Sequence, residues 1–171
     1  MKNILINGIV ASFLLGAPAV LADDNTNAST IDQIGVNNLA QVTQGGSHNS
    51  NDSAIDQAFG GGGDTLLAYV DQKGTHNDNK SEIKQGGLDQ YADVIQNGDF
   101  NFNTAHVTQD GSHNETFVTQ NGTNNTSTAD VTQHGTGALN STVVTQGGAN
   151  NINSATVSQN GSGLISATTQ N

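Results

Sequence analysis

The groups in this chain able to bind a metal or move a proton are five histidines and fifteen acidic residues. His48, His76 and His113 each sit in a Gly-Ser-His-Asn or Gly-Thr-His-Asn stretch. A metal centre needs three or four converging ligands. The spacing puts His48 and His76 in one class of turn, where they can stack at a corner, and His113 at the other corner, so these rings read as turn polarity. The run Gly60-Gly61-Gly62-Gly63-Asp64 would bind calcium only if it recurred; it occurs once and reads as a flexible loop. No Ser-His-Asp set stands out among so many serines and acids. Acid pairs such as Asp52 and Asp56 read as solvent-facing charge that slows sideways aggregation. No catalytic residue, metal site or cofactor is expected, and the chain is not expected to be an enzyme.

The chemistry present in quantity is amide hydrogen bonding, and it is strictly spaced. Gln33, Gln44, Gln57, Gln72, Gln85, Gln96, Gln109, Gln120, Gln133, Gln146, Gln159 and Gln170 align as twelve copies of one position. Two residues before them stand Ile31, Val42, Ile55, Val70, Ile83, Val94, Val107, Val118, Val131, Val144 and Val157, with Thr168 before the last. Every residue four before is Ala, Ser or Thr. Six before stand Asn27, Asn38, Asn51, Asn79, Asn103, Asn114, Asn140 and Asn153, eight of twelve positions. Two after stand Gly35, Gly46, Gly74, Gly87, Gly98, Gly111, Gly122, Gly135, Gly148 and Gly161, with Phe59 as the exception.

The template Asn-x-small-x-Val/Ile-x-Gln-x-Gly has period two, which places its residues on one face of a β-strand. The Gly, with Asn, Asp and Ser around it, marks a turn. Twelve short strands are predicted. Their glutamines are mostly 11 or 13 residues apart, so strands pair into units of about 24 residues. Six units follow, at about 27–50, 51–78, 79–102, 103–126, 127–152 and 153–171. The insertion around Gly60–Gly63 and the longer turn from His134 to Leu139 fall between strands, where length is tolerated. The template face repeats and the opposite face does not: Asp32, Tyr69, Lys84, Glu115, Phe117 and Asp130 share no character. The repeated face is therefore the expected core. Stacked units then give an all-β fold, a flat β-solenoid of two parallel six-stranded sheets, with Gln above Gln so that buried amides bond along the stack. The end units carry no cap, and an uncapped sheet edge is a template for another chain. Such a chain is expected to be a slow-folding, mostly disordered monomer that becomes stable by joining a head-to-tail fibre.

Residues 1–22 read as a secretory signal peptide: Lys2, an apolar run from Ile4 to Leu15, then Val20-Leu21-Ala22 as a cleavage pattern. Residues 23–26 are a short N-terminal segment and 27–171 the solenoid. From Asp23 onward three lysines and no arginine face fifteen acids, which excludes the basic patch of a nucleic-acid binder. There is no cysteine, and no second apolar stretch able to span a membrane. Outward threonines, Thr108, Thr132 and Ser158 on one sheet and Thr119, Thr145 and Thr169 on the other, would suit an ice- or surface-binding solenoid, but His106, Phe117, Asp130 and Val143 interrupt the array.

The repeat closely resembles the curlin repeat of bacterial curli fibre subunits, Ser-x5-Gln-x-Gly-x2-Asn-x-Ala-x3-Gln. Gln33-x-Gly35-x2-Asn38-x-Ala40-x3-Gln44 fits from its first Gln, and Gln109-x-Gly111-x2-Asn114-x-Thr116-x3-Gln120 fits with Thr for Ala. Gln85, Gly87, Ala92 and Gln96 fit with Gln90 for Asn. The leading Ser is usually Asn here, Ser127 excepted, and Leu66 and Leu164 replace Asn. The resemblance spans residues 27–171. It implies an extracellular, cell-surface amyloid fibre of biofilm matrix serving adhesion and cell aggregation. It further implies export by signal peptide and then through an outer-membrane secretion channel, and a nucleator subunit as partner. The last unit bears no charged side chain, which favours the major subunit over the nucleator.

Overall fold

The structure, a computed structural model, describes residues 5–6, 25–34, 37–57, 65–135 and 137–171. Of the signal-peptide reading only Leu5–Ile6 falls within them; Gly35, Phe59 and the Gly60–Gly63 insertion lie outside.

Small and β-branched residues alternating with polar ones favour extended backbone and a pleated face. The chain forms β1 (Leu5–Ile6), β2 (Thr26–Gln33), β3 (Leu39–Gln44), β4 (Ser50–Gln57), β5 (Leu66–Gln72), β6 (Asp78–Leu88) and β7 (Gln90–Gln96). It continues through β8 (Phe102–Ser112), β9 (Asn114–Gln120), β10 (Thr126–Gly135), β11 (Asn140–Gln146), β12 (Ile152–Asn160) and β13 (Ile165–Gln170). One sheet runs β1-β2-β4-β6-β8-β10-β12 and the other β3-β5-β7-β9-β11-β13. All pairings are parallel. From β2 onward consecutive strands thus alternate between sheets, and each pair makes one rung of a six-rung solenoid. Apart from the pairing of β1 on Thr30 and Ile31, every described strand partner lies within residues 25–171.

Register is in phase. Ile31, Ile55, Ile83, Val107, Val131 and Val157 form one column. Val42, Val70, Val94, Val118, Val144 and Thr168 form the other. These columns, without the half-buried Thr168, and the alanines beside them are the buried core, with Ile31 packed against it in part. A one-residue slip would turn every such side chain outward, so burial fixes the register. Through β4 to β12 every second residue along the strand body is buried, whereas β2 and β13, the outermost strands of the six rungs, alternate exposed and half-buried residues.

The corners depart from a simple turn at glycine. Gly87, Gly111 and Gly135 stay inside β6, β8 and β10, still paired Gly87 to Gly111 and Gly111 to Gly135. The chain reverses two residues after Gly87 and Gly111, at Asp89 and His113, which adopt left-handed φ of 51° and 57°. At the other corners His48, His76, Phe100, Asn124 and Asn150 do the same. Asn, Asp and His tolerate this conformation well; Phe100 is the bulky exception.

Candidate functional site

The site follows from one physical demand: amides facing a core must be paired. Gln57, Gln72, Gln96, Gln120, Gln133 and Gln146 have no solvent exposure. In the first sheet Gln33 Nε2 donates to Gln57 Oε1 (2.6 Å), Gln57 to Gln85 (2.9 Å), Gln85 to Gln109 (2.9 Å), Gln109 to Gln133 (2.9 Å) and Gln133 to Gln159 (2.8 Å). In the second, Gln44 donates to Gln72 (2.8 Å), Gln72 to Gln96 (2.8 Å), Gln96 to Gln120 (2.8 Å), Gln120 to Gln146 (2.9 Å) and Gln146 to Gln170 (2.8 Å). The second N–H reaches across the core to a backbone carbonyl of the facing sheet, as from Gln96 to Lys80 O (3.0 Å) and from Gln109 to Tyr91 O (2.8 Å). Each interior Gln therefore ties its rung to the next and the two sheets to each other. Aligned chains of this kind polarise one another and strengthen.

Thr116 and Thr142, which the template treats only as small, join the ladder. Thr116 Oγ1 accepts from Gln109 (3.1 Å) and donates to Gln133 (2.7 Å); Thr142 links Gln133 (3.0 Å) to Gln159 (3.0 Å) in the same way. Ser53 and Ser81, at the equivalent position of the other sheet, have buried hydroxyls without a partner. Ser81 stacks on Ala105, so Ser81→Ala is expected to raise stability by about 1 kcal/mol, read as a higher denaturant midpoint, because it deletes an unpaired buried hydroxyl.

The template asparagines divide. Asn51 donates to Asn27 (3.0 Å), Asn79 to Asn51 (3.1 Å) and Asn103 to Asn79 (3.0 Å), the opposite direction to the glutamines. Ser127 interrupts this column, and Asn153 bonds instead to Gly147 O (3.1 Å). On the other sheet Asn140 donates to Asn114 (3.0 Å), while Asn38 reaches only Ile34 O (3.1 Å).

A further amide column escapes the template. Asn49, Asn77, Asn101, Asn125 and Asn151 close their corners by donating to the carbonyl four residues back, at 2.8–3.2 Å. Their carbonyl oxygens accept the backbone N–H of the next rung: Asn25 from Asn49 (2.9 Å), Asn49 from Asn77 (3.0 Å), Asn77 from Asn101 (2.9 Å), Asn101 from Asn125 (3.0 Å) and Asn125 from Asn151 (3.0 Å). The signal was present as an Asn five residues after the preceding Gln. Pooling the strands of both sheets into one template hides it, because only one sheet carries this Asn, eight residues before its Gln.

Outward faces carry less order. His48, His76 and Phe100 stack at one corner with centroids 4.7 Å apart; His113 lies at the other corner, 3.5 Å from Asp89. Tyr91 contacts Tyr69 at 5.7 Å and Phe117 at 5.3 Å. Lys84 pairs with Glu82 (2.7 Å), His106 with Asp130 (2.9 Å) and His134 with Asp110 (3.1 Å), all solvent-accessible and individually weak. Among the described residues no three His, Cys, Asp or Glu side chains converge as a metal site would require, and no helix is long and apolar enough to cross a membrane.

Two acids respond to pH in opposite senses. Burial beside the aromatic strip, and then the charge of Asp71, hold the half-buried Asp93 carboxyl above its usual range. The hydrogen bond from Lys84 holds Glu82 below it. A raised folded value means that ionised Asp93 destabilises the fold above that value and that the cost fades as pH falls through it. Glu82 contributes stability above its unfolded value, and this is lost as pH falls through its lowered folded value. Asp93→Asn is therefore expected to stabilise the fold at neutral pH, by about 1 kcal/mol or less for a partly solvated group, and to shrink the gain seen on mild acidification. Denaturant midpoints at several pH values check this.

Among the described residues, both ends of the stack are left largely unpaired. At one end β12 and β13 expose a full strand edge, with Ile152 and Ile165 among the most exposed apolar residues. At the other, β3 is bare and β2 is paired only over the two residues of β1. What this arrangement can do chemically is accept another rung.

A family model, the curlin associated repeat, matches residues 87–122 and 101–135. No curated protein and no solved structure matches the chain.

Proposed function

We propose that this chain, a member of the curlin-repeat family, is a structural subunit of an extracellular curli-like amyloid fibre, built by head-to-tail templated stacking of solenoids. The observation that carries the reading is the pair of parallel-sheet edges, at opposite ends of one in-register stack, that the described residues leave largely unpaired. Each edge offers unpaired backbone N–H and C=O groups that a second copy satisfies. A contact between unlike ends does not close on itself and so propagates as a filament. The excess of acids keeps the unassembled chain soluble and its outward faces mutually repelling, which favours growth at the ends over sideways clumping. On this reading residues 1–22 are removed on export, the fibre sits at the cell surface as biofilm matrix for adhesion and cell aggregation, and a nucleator subunit and an outer-membrane channel are its partners. The uncharged last rung, from Asn153 to Asn171, supports the major-subunit role over the nucleator. The outward threonines make columns of only two or three before Asp71, Ile95 and Lys84 interrupt them, which leaves an ice-binding array without support.

The test is refolding of residues 23–171 by dilution from denaturant at neutral pH, followed by thioflavin fluorescence. A lag phase that preformed seeds abolish is expected. A chain that stays folded and monomeric at every concentration would overturn the reading, and growth without a lag that seeds other subunits would shift it to the nucleator.

A further inference from the structure

The two ends of the stack are not chemically equivalent, and the difference is set by amide direction. All ten Gln–Gln bonds run the same way, N–H on the earlier rung to oxygen on the later one. A primary amide has two N–H donors and an acceptor oxygen. Interior glutamines use one N–H across the core and one along the stack. On the last rung only the first of these is used: Gln159 donates to Ser141 O (3.1 Å) and Gln170 to Ser154 O (2.9 Å). Each therefore keeps one N–H directed beyond the stack. On the first rung Gln33 and Gln44 donate inward, and among the described residues no group donates to their oxygens. The asparagine column runs in reverse, so Asn27 accepts from Asn51 and keeps its N–H donors, while the oxygen of Asn153 accepts from no described residue.

Resting on the fibre reading above, we propose that these six side chains form a directional junction between two copies of this chain. Gln159 and Gln170 of the last rung donate to Gln33 and Gln44 of the next chain, and Asn27 of that chain donates back to Asn153. Joining like ends would set oxygen against oxygen, or N–H against N–H, at both glutamine positions. Such unmatched groups cost more than an absent bond. The fibre is then polar, and a chain altered only at its last rung is a one-ended terminator. It docks through its intact first rung and presents a dead end to the next subunit.

Gln159→Glu with Gln170→Glu makes such a chain. The carboxylates still accept from Gln133 and Gln146 but have no N–H to offer. The experiment images single fibres growing from wild-type seeds in wild-type protein, residues 23–171, with about one variant chain added per ten. The expected result is that one end of each fibre keeps the wild-type rate while the other slows about tenfold or more. Protonated carboxyls regain a donor, so the slow end should recover relative to an untreated wild-type fibre when both are moved below the carboxyl range; a variant that merely misfolded, having also lost its bonds to Ser141 O and Ser154 O, would not dock and would slow neither end. Equal slowing of both ends, no slowing at either, or no recovery in acid would overturn the directional junction. Absence of growth in the wild-type control would overturn the fibre reading and the junction with it, so the two failures are distinct.

Discussion

Gln109→Glu is expected to cost the stack about 3–5 kcal/mol at neutral pH, the scale of a buried charge without a partner. Gln109 sits at the middle of the first-sheet ladder with 1% exposure. The substituted carboxylate still accepts from Gln85, but it now faces Tyr91 O, Thr116 Oγ1 and Gln133 Oε1, to all of which the native amide is within donating distance. Burial and neighbouring oxygens raise the carboxyl pKa of the folded variant above its unfolded value. The penalty is therefore full above the raised value and fades as pH falls through it. Denaturant midpoints and seeded growth rates should show a large defect at pH 7 that narrows in acid. Gln41→Glu, a change on the outward face of β3, should move either quantity by less than about 0.5 kcal/mol. Similar effects from both substitutions would show that the ladder does not hold the stack.

Gly98→Ala is expected to cost about 3 kcal/mol or more, from a disfavoured backbone and a collision together. Gly98 has φ +117°, and a Cβ there would run into the carbonyl oxygen of Gly122 on the next rung. Gly46 and Gly74 meet the following rung in the same way. The column is glycine because rungs must approach within a strand spacing at a corner, where a methyl group has no room. Gly45, one residue before this column, has no neighbour within 4 Å of a Cβ and no positive φ. Gly45→Ala should be neutral or slightly stabilising, since it restricts the unfolded chain without straining the folded one. The contrast between the two alanines, measured as unfolding midpoints, separates rung contact from glycine content.

The parallel two-sheet solenoid was legible because period-two alternation survives any change on the outer face. Val107 and Gln109 announce their side of the strand whether the neighbour is Thr108 or Asp110. The corner asparagines were not legible in a template that pooled all twelve strands, because only the strands of one sheet carry Asn eight residues before Gln, as Asn77 stands before Gln85, while the other sheet has Leu88 or Ser112 there. Anchored on the preceding Gln72, the same Asn77 is invariant in position, since its amide must reach the carbonyl of Lys73. Thr116 and Thr142 were hidden by size: the position demands a small residue, and nothing in Ala92 or Ala68 on neighbouring rungs reveals that a hydroxyl there also bridges glutamines. Phe100 extends the His48–His76 stack through a ring of different chemistry, so residue type alone gave no cue. The His48–His76 pairing itself was accessible, because both follow Gly at equal distance in the same class of corner.

Fibre diffraction from aligned fibres of residues 23–171 is the most direct measurement. Strands lying across the fibre axis, rung on rung through every chain junction, should give a meridional reflection near ~4.7–4.8 Å and an equatorial one near ~10 Å. Protein that remains monomeric, or fibres without the axial reflection, would contradict end-to-end stacking of the solenoid.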